Sequence, residues 1–290
     1  MSNILVTGAT GGLGQAVVEN LLKTVSPGDI AVLVRDPAKA ADLQARGITV
    51  KQGDYNDYAS LVAAFQGVDK LFLVSSNDIP NRVSQHTNAV HAAKEAGVQH
   101  IVYTSFQRKT EDGSSAAWPI AEAHLLTEKL LKESGLTYTI LKNALYLDVL
   151  PLFMGPVLDT GTIYLPAGEG KVPYASRADM GAAGAAVLTG TGHENQSYDL
   201  SNDTSYSFHD IARILSDLSG KPIQYVSPTA EEFGTALTGA GVPAEAIQMT
   251  AGFCAAIAQG EFDFPGTTLE KLLGRKPETA EHFLKATYQL

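Results

Sequence analysis

The chain has 290 residues, 44% hydrophobic and 18% charged, and 31 acidic residues against 21 basic ones leave a formal net charge of −10. That balance excludes a broad basic face for nucleic acid or an anionic membrane, while leaving room for one local basic pocket. The single cysteine, Cys254, excludes an internal disulfide, and no His/Cys spacing suits zinc, so no metal is expected. The chain opens directly on a strand-like ILVTG. No apolar run reaches the roughly 18 residues of a membrane span, so a cytoplasmic, soluble protein is expected.

Short β-branched runs at 4–7, 30–34, 48–51, 71–74, 101–104 and 138–141 predict strands covered on both faces. Helix-period segments alternate with them. They cover 14–23, 37–46 (Asp36 as N-cap, Pro37 in the first turn), 56–65 closed by Gly67, and 82–96 closed by Gly97. Alternating strand and helix predicts right-handed crossovers and a parallel sheet. Residues 1–150 therefore read as α/β, a Rossmann-type doubly wound domain. After Pro151 the pattern changes. Residues 151–175 are rich in Gly and Pro and predict no clear helix; a small-residue helix at 179–188 and a strand at 197–200 follow. Helices are then expected at 207–218 (behind Ser207), 230–240, 243–258, 268–274 and 279–286, with a strand at 223–226. Residues 151–175 and 201–290 read as a smaller C-terminal α+β substrate lobe, with 176–200 threading back into the first domain.

TGATGGLG, residues 7–14, follows the first strand and opens the first helix. Gly8, Gly11 and Gly14 let backbone N–H groups approach a pyrophosphate at a helix N-terminus, and Thr10, Gly12 and Leu13 complete that cradle. Arg35 lies 21 residues after Gly14, where an arginine accommodates the 2′-phosphate of NADP; Asp36 beside it would serve the NAD ribose if it were not a helix cap. NADP is the expected cofactor, with NADPH preferred over NADH. In GDYND, Asp54 is placed to accept from the adenine amino group, or to cap a helix, with Tyr55 beside it. Ser75, Ser76 and Asn77 end the fourth strand, where open α/β sheets bind the ribose and nicotinamide.

TGATGGLG, VRDP, GDYND, YTSF and LKNALY, in this order, resemble the NmrA-like branch of the atypical short-chain dehydrogenase/reductase superfamily. The likeness runs over essentially the whole chain and is nearest to the type 2 NAD(P)H:quinone oxidoreductases and triphenylmethane dye reductases. Ordinary superfamily members reduce carbonyls with a Tyr-x-x-x-Lys pair on the fifth helix and a Ser at the end of the fifth strand. Ser105 matches that Ser. Aligning Glu128 on the family's glutamate, however, puts His124 at the Lys position and Ile120 at the Tyr position, so the pair is missing.

The resemblance therefore implies an acceptor that needs little acid help. Hydride addition to a quinone leaves a delocalised anion, and catalysis rests on stacking a flat acceptor at near-attack distance. It further implies that LKNALY lies beside the nicotinamide, with Asn143 and Tyr146 in the stack, Lys142 on the cofactor, and Leu145 and Phe106 nearby. His124 is either a weak proton donor or a plain helix-face histidine, and Tyr146 has the alternative of a core aromatic. Phe233, Leu237, Met249, Phe253 and Phe262 would roof an apolar substrate, and Trp118 would lie in a lid loop. The partner expected is a small quinone or aromatic dye, with no nucleic acid and no membrane; a homodimer stays open. The alternative is an NADP(H)-binding redox sensor without turnover.

Overall fold

In the computed structural model, which describes residues 3–290, the β-branched runs of the first half become β1 (Ile4–Thr7), β2 (Ile30–Val34), β3 (Thr49–Gln52), β4 (Lys70–Leu73), β5 (His100–Phe106) and β6 (Thr137–Asn143). A seventh strand, β9 (Gln196–Leu200), joins them in the order β3-β2-β1-β4-β5-β6-β9, and every pairing is parallel. Burial explains the sequence pattern: β1 and β5 are buried at every position, whereas the edge strand β3 has none fully buried.

The crossovers are α1 (Gly12–Leu21), α2 (Ala41–Ala45), α3 (Tyr58–Phe65), α4 (Arg82–Glu95) and α5 (Trp118–Glu133). The helix expected from Pro37 begins as a 3-10 turn, Pro37–Ala40, because Asp36 caps it tightly, accepting the Ala38 N–H at 3.1 Å. Asp57 caps α3 by accepting the Ser60 N–H.

The Gly/Pro-rich stretch carries more structure than expected: α6 (Leu150–Met154) and α7 (Val157–Thr160), then β7 (Thr162–Tyr164) and β8 (Lys171–Val172). Helices of five and four residues are too short to write an apolar period, which is why none was readable. The chain then returns to the sheet through α8 (Arg177–Thr189) and β9. The small residues of α8 serve its approach to α1. A Cβ built on Gly181 would stand 2.5 Å from the Ala16 Cβ, and one on Gly184 would stand 2.7 Å from the Phe72 ring. Gly181→Ala is accordingly expected to lower stability by about 1–3 kcal/mol through overpacking, although alanine is the better helix former. Urea unfolding checks this, and a gain in stability would show that the two helices part freely.

The remaining elements are β10 (Tyr206–Ser207), α9 (Phe208–Ser219), β11 (Gln224–Val226), α10 (Ala230–Gly239), α11 (Ala244–Ala258), α12 (Thr268–Leu273) and α13 (Ala280–Tyr288). Two small sheets, β8/β10 antiparallel and β7/β11 parallel, pack with these helices around a separate apolar core that includes Phe208, Phe233, Cys254 and Phe262. Ser207 caps α9 in a reciprocal box with Asp210. α12 is the exception: its Leu269 belongs to the sheet-side core with Leu188 and Leu200. Among the described residues no helix is long and apolar enough to cross a membrane, and no three His, Cys, Asp or Glu side chains gather as metal ligands.

Candidate active site

A cleft of about 650 Å³ runs across the C-terminal ends of β1, β2 and β4. Its floor is the glycine loop. Gly8 takes φ +62, and its carbonyl accepts the Gly11 N–H at 2.9 Å, which turns the chain from β1 into α1. A Cβ on Gly14 would lie 2.3 Å from that same carbonyl, so only glycine allows the turn to close. No side chain caps α1 and no acidic residue sits in its first turn. The first N–H groups of the helix are therefore free for an anion in the cleft wall formed by Thr10, Gly11, Gly12 and Leu13.

At the β2 end, Arg35 is exposed and lines the cleft; Asp36 does not line it and is spent as a cap. Asp54 lines the same end, with Oδ1 accepting the Asn56 N–H at 2.8 Å and side-chain amide at 3.1 Å, a local turn that holds its carboxylate in place. The Tyr55 hydroxyl lies 2.6 Å from Thr7 Oγ1 and 2.8 Å from the Val74 carbonyl, which locks the ring into the wall; burial raises its pKa, so it stays neutral.

At the other end, Ser75, Ser76 and Asn77 line the cleft after β4. The backbone here is fastened from beneath. Ser75 N–H donates to Thr104 Oγ1 at 2.9 Å, Ser76 N–H donates to His86 Nε2 at 3.0 Å, and the Ser76 carbonyl accepts from Arg82 Nε at 2.6 Å. Tyr146 closes this end, half-buried, its pKa raised by burial against the opposing hydrogen bond from Asn143. Asn143 itself is buried behind the ring, donating from Nδ2 to the Tyr146 hydroxyl at 3.0 Å and leaving its Oδ1 without a partner among the described residues.

Three expected site residues do not line the cleft: Asn143, which reaches it only through its bond to Tyr146, His124 and Lys142. His124 is 4% exposed, with Nδ1 2.7 Å from the Tyr103 hydroxyl and Nε2 3.4 Å from Arg82 Nη1. Burial first, then the charge of Arg82, holds its pKa well below the ordinary value. It is a neutral interior ring, and the geometry gives it no proton to donate into the cleft. Lys142 has its ammonium 3.8 Å from Glu111. Ser105, the residue matched to the carbonyl reducers' serine, donates to Glu128. Trp118 does not sit in the loop over the site but begins α5 and packs on the lobe core. The loop before it is pinned by Glu261, whose carboxylate accepts the Lys109 and Thr110 N–H groups and the Thr110 hydroxyl.

Of the expected roof, Phe262 is buried in the lobe core 5.5 Å from Phe106, and Phe253 packs 6.3 Å from Phe262, so neither lines the cleft. Phe233 instead stacks on Tyr164 within the lobe's own core.

Two further residues line the cleft that sequence reading missed, Gln85 from α4 and Arg177 from the start of α8. Gln85 is 4% exposed; its amide donates to Asp78 and Asn56, and its Oε1 has no partner among the described residues. Neither belongs to a local motif, so no spacing signal announces them.

Fold and cleft together define a Rossmann-type dinucleotide-binding protein. A model described as the NmrA-like family matches residues 1–284, and the chain belongs to that family. It is 40% identical over 276 residues to quinone oxidoreductase 2 of Escherichia coli, covering 95% of each chain. Among solved structures it is similar to the Escherichia coli NADPH-dependent quinone oxidoreductase complexed with NADPH, with TM-score 0.93, 38% identity and 98% and 99% of the two chains covered. It is likewise similar to the triphenylmethane reductase of Citrobacter sp., with TM-score 0.92, 37% identity and 99% and 100% covered.

Proposed function

We propose that this protein is an NADPH-dependent oxidoreductase that reduces a quinone or another flat, conjugated acceptor. The observation that carries it is one cleft joining a free helix N-terminus at the glycine loop to an uncommitted Arg35 at one end and Tyr146 at the other. The cleft suits the dinucleotide on this structure's own terms, because the first N–H groups of α1 reach its wall without a side-chain cap and the buried Gln85 that lines it keeps an unspent acceptor. The glycine loop holds the diphosphate, Arg35 the 2′-phosphate, Asp54 and Tyr55 the adenine, and Ser75, Ser76 and Asn77 the nicotinamide side. When bound, NADPH supplies a hydride.

The protein's own part is positioning. Tyr146 offers a flat face, Asn143 fixes its hydroxyl, and Phe106, paired with Asn143 in the sheet and packed on Phe262 in the lobe core, backs this end of the site. With His124 neutral and enclosed and Ile120 at the other catalytic position, no side chain is set up as the general acid of carbonyl reduction. An acceptor whose product anion is delocalised over a conjugated ring suits such a site.

The test is NADPH oxidation, followed by absorbance, with a small quinone and with a cationic triarylmethane dye. Turnover with either supports the assignment; tight NADPH binding without turnover on any acceptor would favour the sensor. Arg35→Ala is expected to weaken NADPH on the order of tenfold or more and to spare NADH. Equal weakening of both would remove Arg35 from the 2′-phosphate. Tyr146→Phe is expected to lower turnover by far less than the roughly 10²-fold that loss of a general acid brings.

A further inference from the structure

The fourth glycine of the loop, Gly12, falls outside the G-x-x-G-x-x-G spacing. As the first residue of α1 it occupies a place where alanine would be the better helix former. The structure supplies a reason for it. A Cβ built on Gly12 would come 3.1 Å from Cδ of Arg177, so the arm of that arginine passes across the loop at this point. Beyond the crossing, the guanidinium carbon sits 4.8 Å from the centroid of the Tyr146 ring, and Nη1 is 3.7 Å from Asp148 Oδ1. Asp148 Oδ2 meanwhile accepts the backbone N–H of Arg177 at 2.9 Å.

The side chain is thus held by an aromatic face and a long carboxylate contact. Among the described residues none of its five N–H donors is spent on a hydrogen bond. It is 33% exposed and lines the cleft. A guanidinium pre-placed with all its donors unspent, beside a helix N-terminus with free N–H groups, is matched to an anion that both can reach.

We propose that Arg177 binds the diphosphate of the dinucleotide together with the N–H groups of α1, and that position 12 is glycine so that the arm can cross to do so. This rests on the dinucleotide reading above. Arg35 and Arg177 then divide the cofactor between them, the first taking the 2′-phosphate and the second the diphosphate. Because the Arg177 fork lies on the Tyr146 ring, binding the diphosphate also fixes that ring at the reacting end of the cleft.

The two cations have separable signatures in binding, measured by calorimetry without turnover. The probes are NADPH, NADH and 2′-AMP, the last carrying the 2′-phosphate but no diphosphate. Arg177→Ala is expected to weaken NADPH and NADH by the same factor, on the order of tenfold or more, and to leave 2′-AMP within about twofold. Arg177→Gln, which keeps much of the arm's packing, shows the same pattern, and thermal unfolding confirms that both variants are folded. Gly12→Ala weakens NADPH several-fold (roughly 3- to 10-fold) in the wild-type background and adds nothing once Arg177 is alanine.

Unchanged NADPH binding in Arg177→Ala overturns the proposal. So does a 2′-AMP loss as large as the NADPH loss, which would make Arg177 merely structural. A Gly12→Ala effect that is equal in both backgrounds, or absent from both, overturns the crossing. Wild-type protein that binds neither NADPH nor NADH would instead refute the dinucleotide reading itself.

Discussion

Lowering the pH from 7 to 5 is expected to take about 2 kcal/mol off the unfolding free energy through His86 alone, and His124 adds to the loss in the same direction. Both rings are buried, and burial followed by the charge of Arg82 depresses their pKa values, that of His86 to about 3. Hydrogen bonding gives the same answer independently. Ser76 N–H donates to His86 Nε2, so Nδ1 carries the proton and donates to Thr127 Oγ1 at 2.9 Å; Arg82 Nη1 faces His124 Nε2, so its Nδ1–H is directed at the Tyr103 hydroxyl. A second proton on either ring would set N–H against N–H. The unfolded chain takes up these protons near pH 6.5 and the folded one does not, so folding stability is complete above pH 6.5 and falls as pH drops towards 3.

Against a typical total of about 5–15 kcal/mol this is a large fraction. Urea unfolding at pH 7, 6 and 5 reads it directly. His86→Gln, which keeps an acceptor for Ser76, should remove the His86 share of the loss. An unfolding free energy that does not change over this range would show that the folded rings take the protons. The same network underlies the Ser75–Asn77 wall of the cleft, so the first part of the cleft to loosen in acid is this end.

What could be read from the chain beforehand follows from how local its cause is. β1 and β2 were placed to the residue because burial on both faces writes an unbroken apolar run. The glycine loop was legible because strand, turn and helix start are contiguous. Arg35 could be preferred to Asp36 because capping by Asp36 is a matter of two residues, and the structure spends Asp36 that way. The partners of His124 are another matter. They come from α4 and β5, and nothing around position 124 shows that Arg82 and Tyr103 will enclose it. Arg177 is hidden for the same reason: α8 reaches the glycine loop only because Gly181 and Gly184 let it lie close to α1 and the Phe72 ring. Most of what the sequence left unread at the site is contact between distant segments.

Removing the carboxylate of Glu128 is expected to cost about 3–5 kcal/mol of stability in Glu128→Ala, the largest effect of any single substitution considered. Glu128 receives Arg108 through two bonds, Nη1 to Oε1 at 2.9 Å and Nη2 to Oε2 at 3.1 Å, and also the Ser105 hydroxyl. The side chains are 5% and 0% exposed, so the pair has no water to fall back on. Arg108 also donates to the Phe106 carbonyl, and its only other carboxylate contact among the described residues is Glu111, itself 51% exposed. Without Glu128 the guanidinium remains enclosed at the end of β5, where its Nε already lacks a partner. The charge then has to be solvated by opening the loop between β5 and α5.

Glu128→Gln keeps the shape and one acceptor and should lose less. Pairing Glu128→Leu with Arg108→Met should recover much of the loss, because a well-packed apolar pair avoids the desolvation that the ion pair must offset. Denaturant unfolding of the three variants decides it. A loss below about 1 kcal/mol in Glu128→Ala would mean that Arg108 swings into solvent unaided, as an exposed pair would. Such a result would also remove the reason for Ser105 to be held away from the cleft. In the pair as it stands, the serine that carbonyl reducers use beside their tyrosine is instead committed to Glu128, which ties α5 to the end of β5.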